Sequence, residues 1–278
     1  MHRPLTTMRA PLDLQGSLVY LLARLNPFGE QAWALHRATG LRFRVNVRDV
    51  VGRTILRRTA YEPDLTAWLL AGLGGDEPGV FVDVGANIGW FSLQAARCGG
   101  VSRVLAVEPD AGNQQLLQAN IERNGLGGRI EAVACAAGAE PGLARLHRYK
   151  ASNRGRHSLL VQHGQGSSWV PVERVDTLLV RLGLGEAPIA AIKVDVEGYE
   201  PWVLAGAERA LARCEALLVE LSPDMTRAGG SGLEAMLDAI AGAGFVPQIW
   251  DVSPAAPSWR EVRDCARQAT VGFRRGAA

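Results

Sequence analysis

The sequence predicts an α/β fold: a doubly wound, seven-stranded, mostly parallel sheet with helices on both faces, preceded by an extension of helix and β-hairpin. Two observations carry that reading. From about Gly79 onward, short runs rich in β-branched residues alternate with helical patterns, as consecutive βαβ units do. One of those runs, FVDV, passes straight into a glycine turn and a helix, the arrangement that brings backbone close to a ligand. With 47% apolar and 21% charged residues in 278, the composition sets aside disordered, fibrous and coiled-coil classes.

Taken in order, residues 1–58 form the extension and residues 59–278 the main domain. Within the extension, residues 1–40 read as helical, and LRFRVNV with RTILRRTA reads as two strands around a turn from Asp49 to Gly52. The apolar run near the N-terminus is short and broken by Arg24, so neither a signal peptide nor a membrane-spanning helix is expected. Strands of the main sheet are expected at 80–84, 103–108, 129–135, 190–196, 216–221, 245–250 and 269–274. Helical stretches intervene at 87–99, 111–125, 201–214 and 232–244, several stopping at a glycine as a C-terminal cap does. Residues 147–169 are polar, rich in Gly and Ser, and too long for an ordinary connection, which makes them a candidate lid or substrate loop.

Charge and cysteine usage narrow the partners. Thirty basic against 28 acidic residues leave a net charge of +2, with no general footprint for nucleic acid or an anionic membrane. Cys98, Cys135, Cys214 and Cys265 are widely spaced, without the pairs that a disulfide framework or structural zinc needs, so a reduced, cytoplasmic setting fits.

The sharpest local signal is FVDVGANIGWFS. An apolar strand ends near Asp83, and Gly85, Asn87 and Gly89 lead into a helix whose free N–H groups and positive dipole end attract an anionic group. A dinucleotide site usually wants G-x-G-x-x-G, whereas Asn87 stands where the second glycine would be, which suits a smaller ligand group than a pyrophosphate. The next strand ends in Glu108, placed to accept hydrogen bonds from ribose hydroxyls. Strand, turn, helix, strand and terminal acid in this order indicate an adenosine-type ligand.

DVGANIGWFS followed by AVEPDAGNQQLLQANIERNG resembles the S-adenosylmethionine (SAM)-dependent methyltransferases of class I, specifically the FkbM family. TAYEPDLTAWL, NRGRHSL and IKVDVEGYEPWVLAGAERAL extend the match over about residues 59–222. The resemblance implies a Rossmann-like methyltransferase with SAM as cofactor and S-adenosylhomocysteine as product. It places Asp83, Gly85, Ala86, Asn87 and Gly89 around the methionine portion, with Asp83 receiving its ammonium. Glu108 and Pro109 then lie at the ribose, and Cys135 and Ala136 flank the adenine. Tyr61 and Glu62 match the family's Y-E-P element, the former assigned to substrate and the latter to cofactor. Asn153 and Ser158 match the loop pattern and are assigned to substrate. The implied acceptor is a hydroxyl of a small molecule, a sugar or specialised metabolite.

IKVDVEG is peculiar for a central strand, which should be nearly all apolar. Period-two alternation sends Ile192, Val194 and Val196 one way and Lys193, Asp195 and Glu197 the other. Three charges on one side need mutual pairing, solvent or a ligand. Methyl transfer to oxygen requires alignment, exclusion of water and removal of the acceptor's proton. Asp195 or Glu197 is therefore the candidate base or acceptor-orienting group, tuned by Lys193, with His157 as a second candidate base and Glu220 helping to close the site. Asp195 and Glu197 also offer oxygens to a magnesium ion, but two acids at this spacing are a poor site, and no metal is expected. A small hydroxylated acceptor is the expected partner, without nucleic acid or membrane, and the reading leaves room for a homodimer. N-methylation, a SAM-binding module without catalysis, and a nicotinamide-dependent oxidoreductase are the alternatives.

Overall fold

The computed structural model describes residues 12–25, 29–74, 77–150, 152–230 and 232–276. Helix α1 (Leu14–Leu25) is followed by a two-stranded antiparallel hairpin, β1 (Gln31–His36) and β2 (Leu41–Asn46), then by helices α2 (Val50–Arg58) and α3 (Pro63–Ala71). This corrects the expected extension twice. Residues 31–36, expected to be helical, form β1. The expected strand 53–60 is mostly helix α2, because Asp49 caps it: its Oδ2 accepts from Val51 N–H at 2.8 Å and Gly52 N–H at 3.3 Å. Val51, Ile55 and Leu56 bury one helical face, and Arg57 and Arg58 fill the last turn, where the helix dipole favours cations. Residues 1–11 and 26–28 of the expected N-terminal helix lie outside the described residues.

The main domain continues through β3 (Gly79–Val84), α4 (Trp90–Ala95), β4 (Val101–Val107), α5 (Ala111–Arg123) and β5 (Ile130–Val133). After an excursion through β6 (Ala136–Ala137), β7 (Gly142–His147) and β8 (Ser167–Glu173) come α6 (Val175–Arg181), β9 (Ile189–Val194), α7 (Glu200–Ala205), α8 (Glu208–Ala212) and β10 (Ala216–Leu221). The described chain closes with α9 (Pro223–Ala228), α10 (Leu233–Gly242), β11 (Phe245–Trp250), α11 (Trp259–Arg263) and β12 (Ala269–Arg275).

The large sheet has seven strands in the order β11-β12-β10-β9-β3-β4-β5, and each falls on a run expected from the sequence. Only β12 runs against its neighbours, β10 and β11. Alternation along the strands sorts side chains into two cores. Phe81, Ala106 and Ala191 pack with Leu93 of α4, Leu117 of α5 and the N-terminal hairpin. Val82, Val84, Leu105, Ile192 and Val194 pack with Leu178 of α6, Val203 of α7 and Leu237 of α10. Chain order reverses where β3 lies between β4 and β9, and in open sheets that switch point opens a crevice beyond the carboxyl ends of the strands.

A second sheet, β6-β8-β7, was not foreseen. Its strands carry Gly142, Arg145 and Pro171 and show no clean apolar alternation, and the sequence reading assigns them no strand. The polar 147–169 segment is therefore framed by β7 and β8. A short 3₁₀ turn lies at Arg154–Arg156, and the backbones of His147 and Ser158 pair with each other. The Ser152 carbonyl accepts from Val50 N–H at 3.0 Å, docking the segment on the start of α2.

Candidate functional site

A cavity opens at the carboxyl ends of β3, β4, β9 and β10, roofed by the 147–169 segment. Gly85 and Asn87 line it from the turn after β3, Glu108, Pro109 and Asn113 from the end of β4 and the start of α5, and Asp195, Val196, Glu197 and Tyr199 from the turn after β9. Tyr61, Glu62, Ala136, Asn153, Arg156, His157, Glu220 and Gln268 complete the walls relevant here.

The β3–α4 turn is built by close backbone approach. Gly85 has φ +77°, and a Cβ placed on it would stand 1.9 Å from the Asp195 carbonyl oxygen. Asn87, at φ +51°, takes the left-handed conformation that asparagine tolerates better than most residues. Its N–H donates to Glu108 Oε2 at 2.8 Å, while Asp110 N–H donates to Oε1 at 2.8 Å. Asn113 Nδ2 also donates to Oε1, at 3.5 Å, so Oε2, with one donor, is the oxygen that keeps acceptor capacity. Burial, opposed by these amide donors, lifts the Glu108 carboxyl to about 7.

Lys193 lies beneath the cavity. Its Nζ meets Asp83 Oδ1 and Asp195 Oδ2, each at 3.4 Å, donates to the Gly85 carbonyl at 3.3 Å, and stands 5.3 Å from the Phe91 ring centroid. Burial pulls its ammonium down, but the carboxylates of Asp195, Asp83 and Glu62 outweigh it and hold the group above its ordinary value. Alternation thus holds through Val194. The strand ends there, and Glu197 follows in a left-handed turn at φ +53°.

The acids on the wall share one cavity. Glu197 Oε2 meets Arg156 Nε at 3.4 Å and accepts from Gln268 Nε2 at 3.2 Å; burial and the neighbouring Asp195 charge raise its carboxyl to about 7. Glu220 accepts from Gln268 Nε2 at 2.6 Å and from Ser222 Oγ at 3.2 Å, and burial with Asp195, Glu197 and Glu200 nearby pushes it well up. Glu62, at φ +43° ahead of α3, is raised to about 7 by burial and by Asp195. Burial and the Glu62 and Asp195 charges likewise push the Tyr61 phenol well up.

Six expected site residues stand elsewhere than on this wall. Asp83 is fully buried, and its carboxylate is committed to Lys193 and to Ser92, whose Oγ donates at 2.6 Å, so it does not face a ligand's ammonium. Lys193 acts on the wall from below. Ala86 is buried with its N–H on the Val107 carbonyl, and Gly89 lets α4 pack closely on Leu117. Cys135 points into the core, where burial raises its thiol to about 11. Ser158 is buried and staples the roof: its Oγ donates to the Glu197 carbonyl at 3.0 Å and accepts from Leu160 N–H at 3.2 Å.

His157 does reach the cavity, but its Nδ1 accepts from Tyr149 N–H at 3.0 Å and its Nε2 faces Asp110 Oδ2 at 3.7 Å. With both ring nitrogens engaged, it organises the roof and is not placed as a base. Sequence reasoning missed Asn113, Arg156, Tyr199 and Gln268. Arg156 lay inside the NRGRHSL stretch and signalled itself there as a second basic group; Gln268 had no local signal.

Among the described residues, no group of three or more His, Cys, Asp or Glu is arranged to hold a metal ion, and no helix is long and apolar enough to cross a membrane. All four cysteines are free.

A glycine turn, a buried acid after β4 and an acidic wall meet at the topological switch point of a doubly wound sheet. The methyltransferase FkbM domain matches residues 83–247, more than half of the chain. The chain belongs to the FkbM methyltransferase family and is a SAM-dependent methyltransferase. No curated protein matches it. Solved structures with a similar course include an rRNA methylase from Streptococcus thermophilus, at 13% identity and TM-score 0.44 over 77% of this chain and 95% of that one. A precorrin-6y C5,15-methyltransferase from Geobacter metallireducens GS-15 gives 10% identity and TM-score 0.39 over 77% and 88%. The M. jannaschii tRNA m1G37 methyltransferase gives 12% identity and TM-score 0.44 over 91% and 59%.

Proposed function

We propose that this chain methylates a hydroxyl group of a small, uncharged, hydroxylated acceptor, a sugar or specialised metabolite. The observation that carries the reading is the convergence of Glu62, Asp195, Glu197 and Glu220 on the same cavity as Gly85, Asn87 and Glu108. Such a wall offers many acceptors for hydroxyl protons.

The cavity fits SAM in its donor set. Glu108 has acceptor capacity left for ribose hydroxyls, and Pro109 and Ala136 offer apolar surface beside it. Glu62, in place of Asp83, faces the cavity and suits an ammonium group. Bound there, SAM supplies an electrophilic methyl group. Asp195 takes the proton of the acceptor hydroxyl: it lines the cavity, and among the described residues its one ion pair is to Lys193 beneath. Glu197 and Glu220 orient the acceptor. Asn153, Arg156 and His157, on the roof, exclude water from the reacting atoms.

Calorimetric titration with SAM, S-adenosylhomocysteine and NAD tests the cofactor, and labelled methyl transfer to panels of polyols, amines and RNA tests the acceptor. Binding of the first two, with label in polyols, is expected. Label in amines favours N-methylation, for which the same acidic wall provides attraction. Label in RNA, or binding of NAD alone, overturns the reading.

A further inference from the structure

Gln268 stands on the cavity wall although it lies beyond residues 83–247, the stretch the family domain matches. It comes from the segment just ahead of β12, the strand inserted between β10 and β11. Its Nε2 donates to Glu220 Oε1 at 2.6 Å and to Glu197 Oε2 at 3.2 Å, and its Oε1 accepts from Arg156 Nη2 at 3.4 Å. A primary amide has two N–H donors, so each is spent on a different carboxylate.

We propose that Gln268 is a positioning residue that fixes the Glu197 and Glu220 carboxylates, through one bridging amide, in the orientation that receives the acceptor. This rests on the methyl-transfer reading above, in which those two acids orient the acceptor. Glu220 has no ion pair among the described residues, and Glu197 has one, to Arg156 from the roof. A cation between the acids would satisfy them more strongly but would also be the strongest competitor for the acceptor's hydroxyls. A neutral amide avoids that competition, and it ties the roof to the floor because the same side chain receives Arg156.

The charged groups facing the bridge are Arg156 from the roof, Asp195 and Glu197 after β9, Glu200 at the start of α7 and Glu220 from β10. Burial and mutual repulsion raise both bridged acids, and the Gln268 donors pull each down. Removing the donors therefore moves both titrations to higher pH.

The test compares wild type with Gln268→Met, which keeps length and loses both donors, and with the near-isosteric Gln268→Glu. Folding is checked by circular dichroism. Carboxyl carbon resonances of ¹³C-labelled glutamates are titrated in each protein, assigned with Glu197→Gln and Glu220→Gln. SAM affinity is measured by calorimetry and methyl transfer against the acceptor found in the panel. The expected result is an upward shift of about tenfold or more in proton affinity of the bridged acids in both variants. SAM affinity stays within about threefold of wild type, and kcat/KM for the acceptor falls by about tenfold or more. Titrations that do not move in a folded Gln268→Met protein overturn the bridge. SAM affinity falling as far as kcat/KM overturns the positioning role. A wild type that does not bind SAM overturns the methyl-transfer reading itself and is seen before any substitution is made.

Discussion

Asp83 and Asp195 are tied through one ammonium: Lys193 Nζ stands 3.4 Å from a carboxylate oxygen of each. Asp83 is sealed from solvent, whereas the Asp195 side chain is 31% exposed, at the cavity wall. The buried partner anchors the lysine, and the lysine sets the field at the exposed one. Asp195→Asn should therefore lower methyl transfer by roughly 10²-fold while leaving SAM affinity nearly intact. Turnover equal to wild type would remove Asp195 from the mechanism.

Lys193→Met tests the anchoring half of that triad. It leaves Asp83 buried without a cation, a situation that costs about 3 kcal/mol or more. Urea unfolding of the variant is the measurement, and a loss below about 1 kcal/mol would show that Ser92 alone satisfies Asp83.

Gly85→Ala addresses the turn. A methyl group there meets the Asp195 carbonyl and stands at a φ that alanine rarely adopts, so β3 and the end of β9 must separate. SAM affinity should fall by about tenfold or more in calorimetry. A folded variant with wild-type affinity would place the cofactor away from this turn.

Stability should fall as pH rises from acid to mildly alkaline values. Burial foremost raises Glu62, Glu108 and Glu197 to about 7 and Glu200 to about 8, all above their unfolded value. Between about pH 4.5 and 8 the folded state holds more protons than the unfolded one, so the slope of unfolding free energy against pH is negative. The stability these acids contribute is complete below the unfolded value and is lost as pH passes the folded values. Lys193 is shifted upward in an alkaline range outside this window. The ligand-free protein should melt roughly 5 °C or more lower at pH 8 than at pH 5.5. A flat or rising melting temperature would refute this account of the acidic wall.

The central strands β3, β9 and β10 were legible because burial on both faces demands mostly apolar runs, and the edge strands β5 and β11 because their short apolar runs lie between turn residues. The acids at the ends of β4, β9 and β10 were legible for the converse reason: a carboxylate closing an apolar run is costly unless something uses it. Asp83 misled because it sits in the last positions of β3, like a site acid, yet points toward Lys193 under the floor. Alternation fixed that side, but not whether the side held a ligand or a lysine. The extension was misread at α2 because one aspartate cap outweighed the strand-like sequence after it. Gln268 was invisible because its role exists only once β12 has paired with β10, far away in sequence.

The order of the strands also governs when the site can come into being during synthesis. Among the described residues β11 pairs with β12 alone, so its place in the sheet depends on a strand that follows it in the chain. In the folded sheet β12 lies between it and β10. Gln268 travels with that late strand, so a nascent chain can have its glycine turn and every carboxylate in place and still lack the bridge between Glu197 and Glu220. The cavity wall is thus finished by a residue that sits just ahead of β12, the strand inserted between β10 and β11.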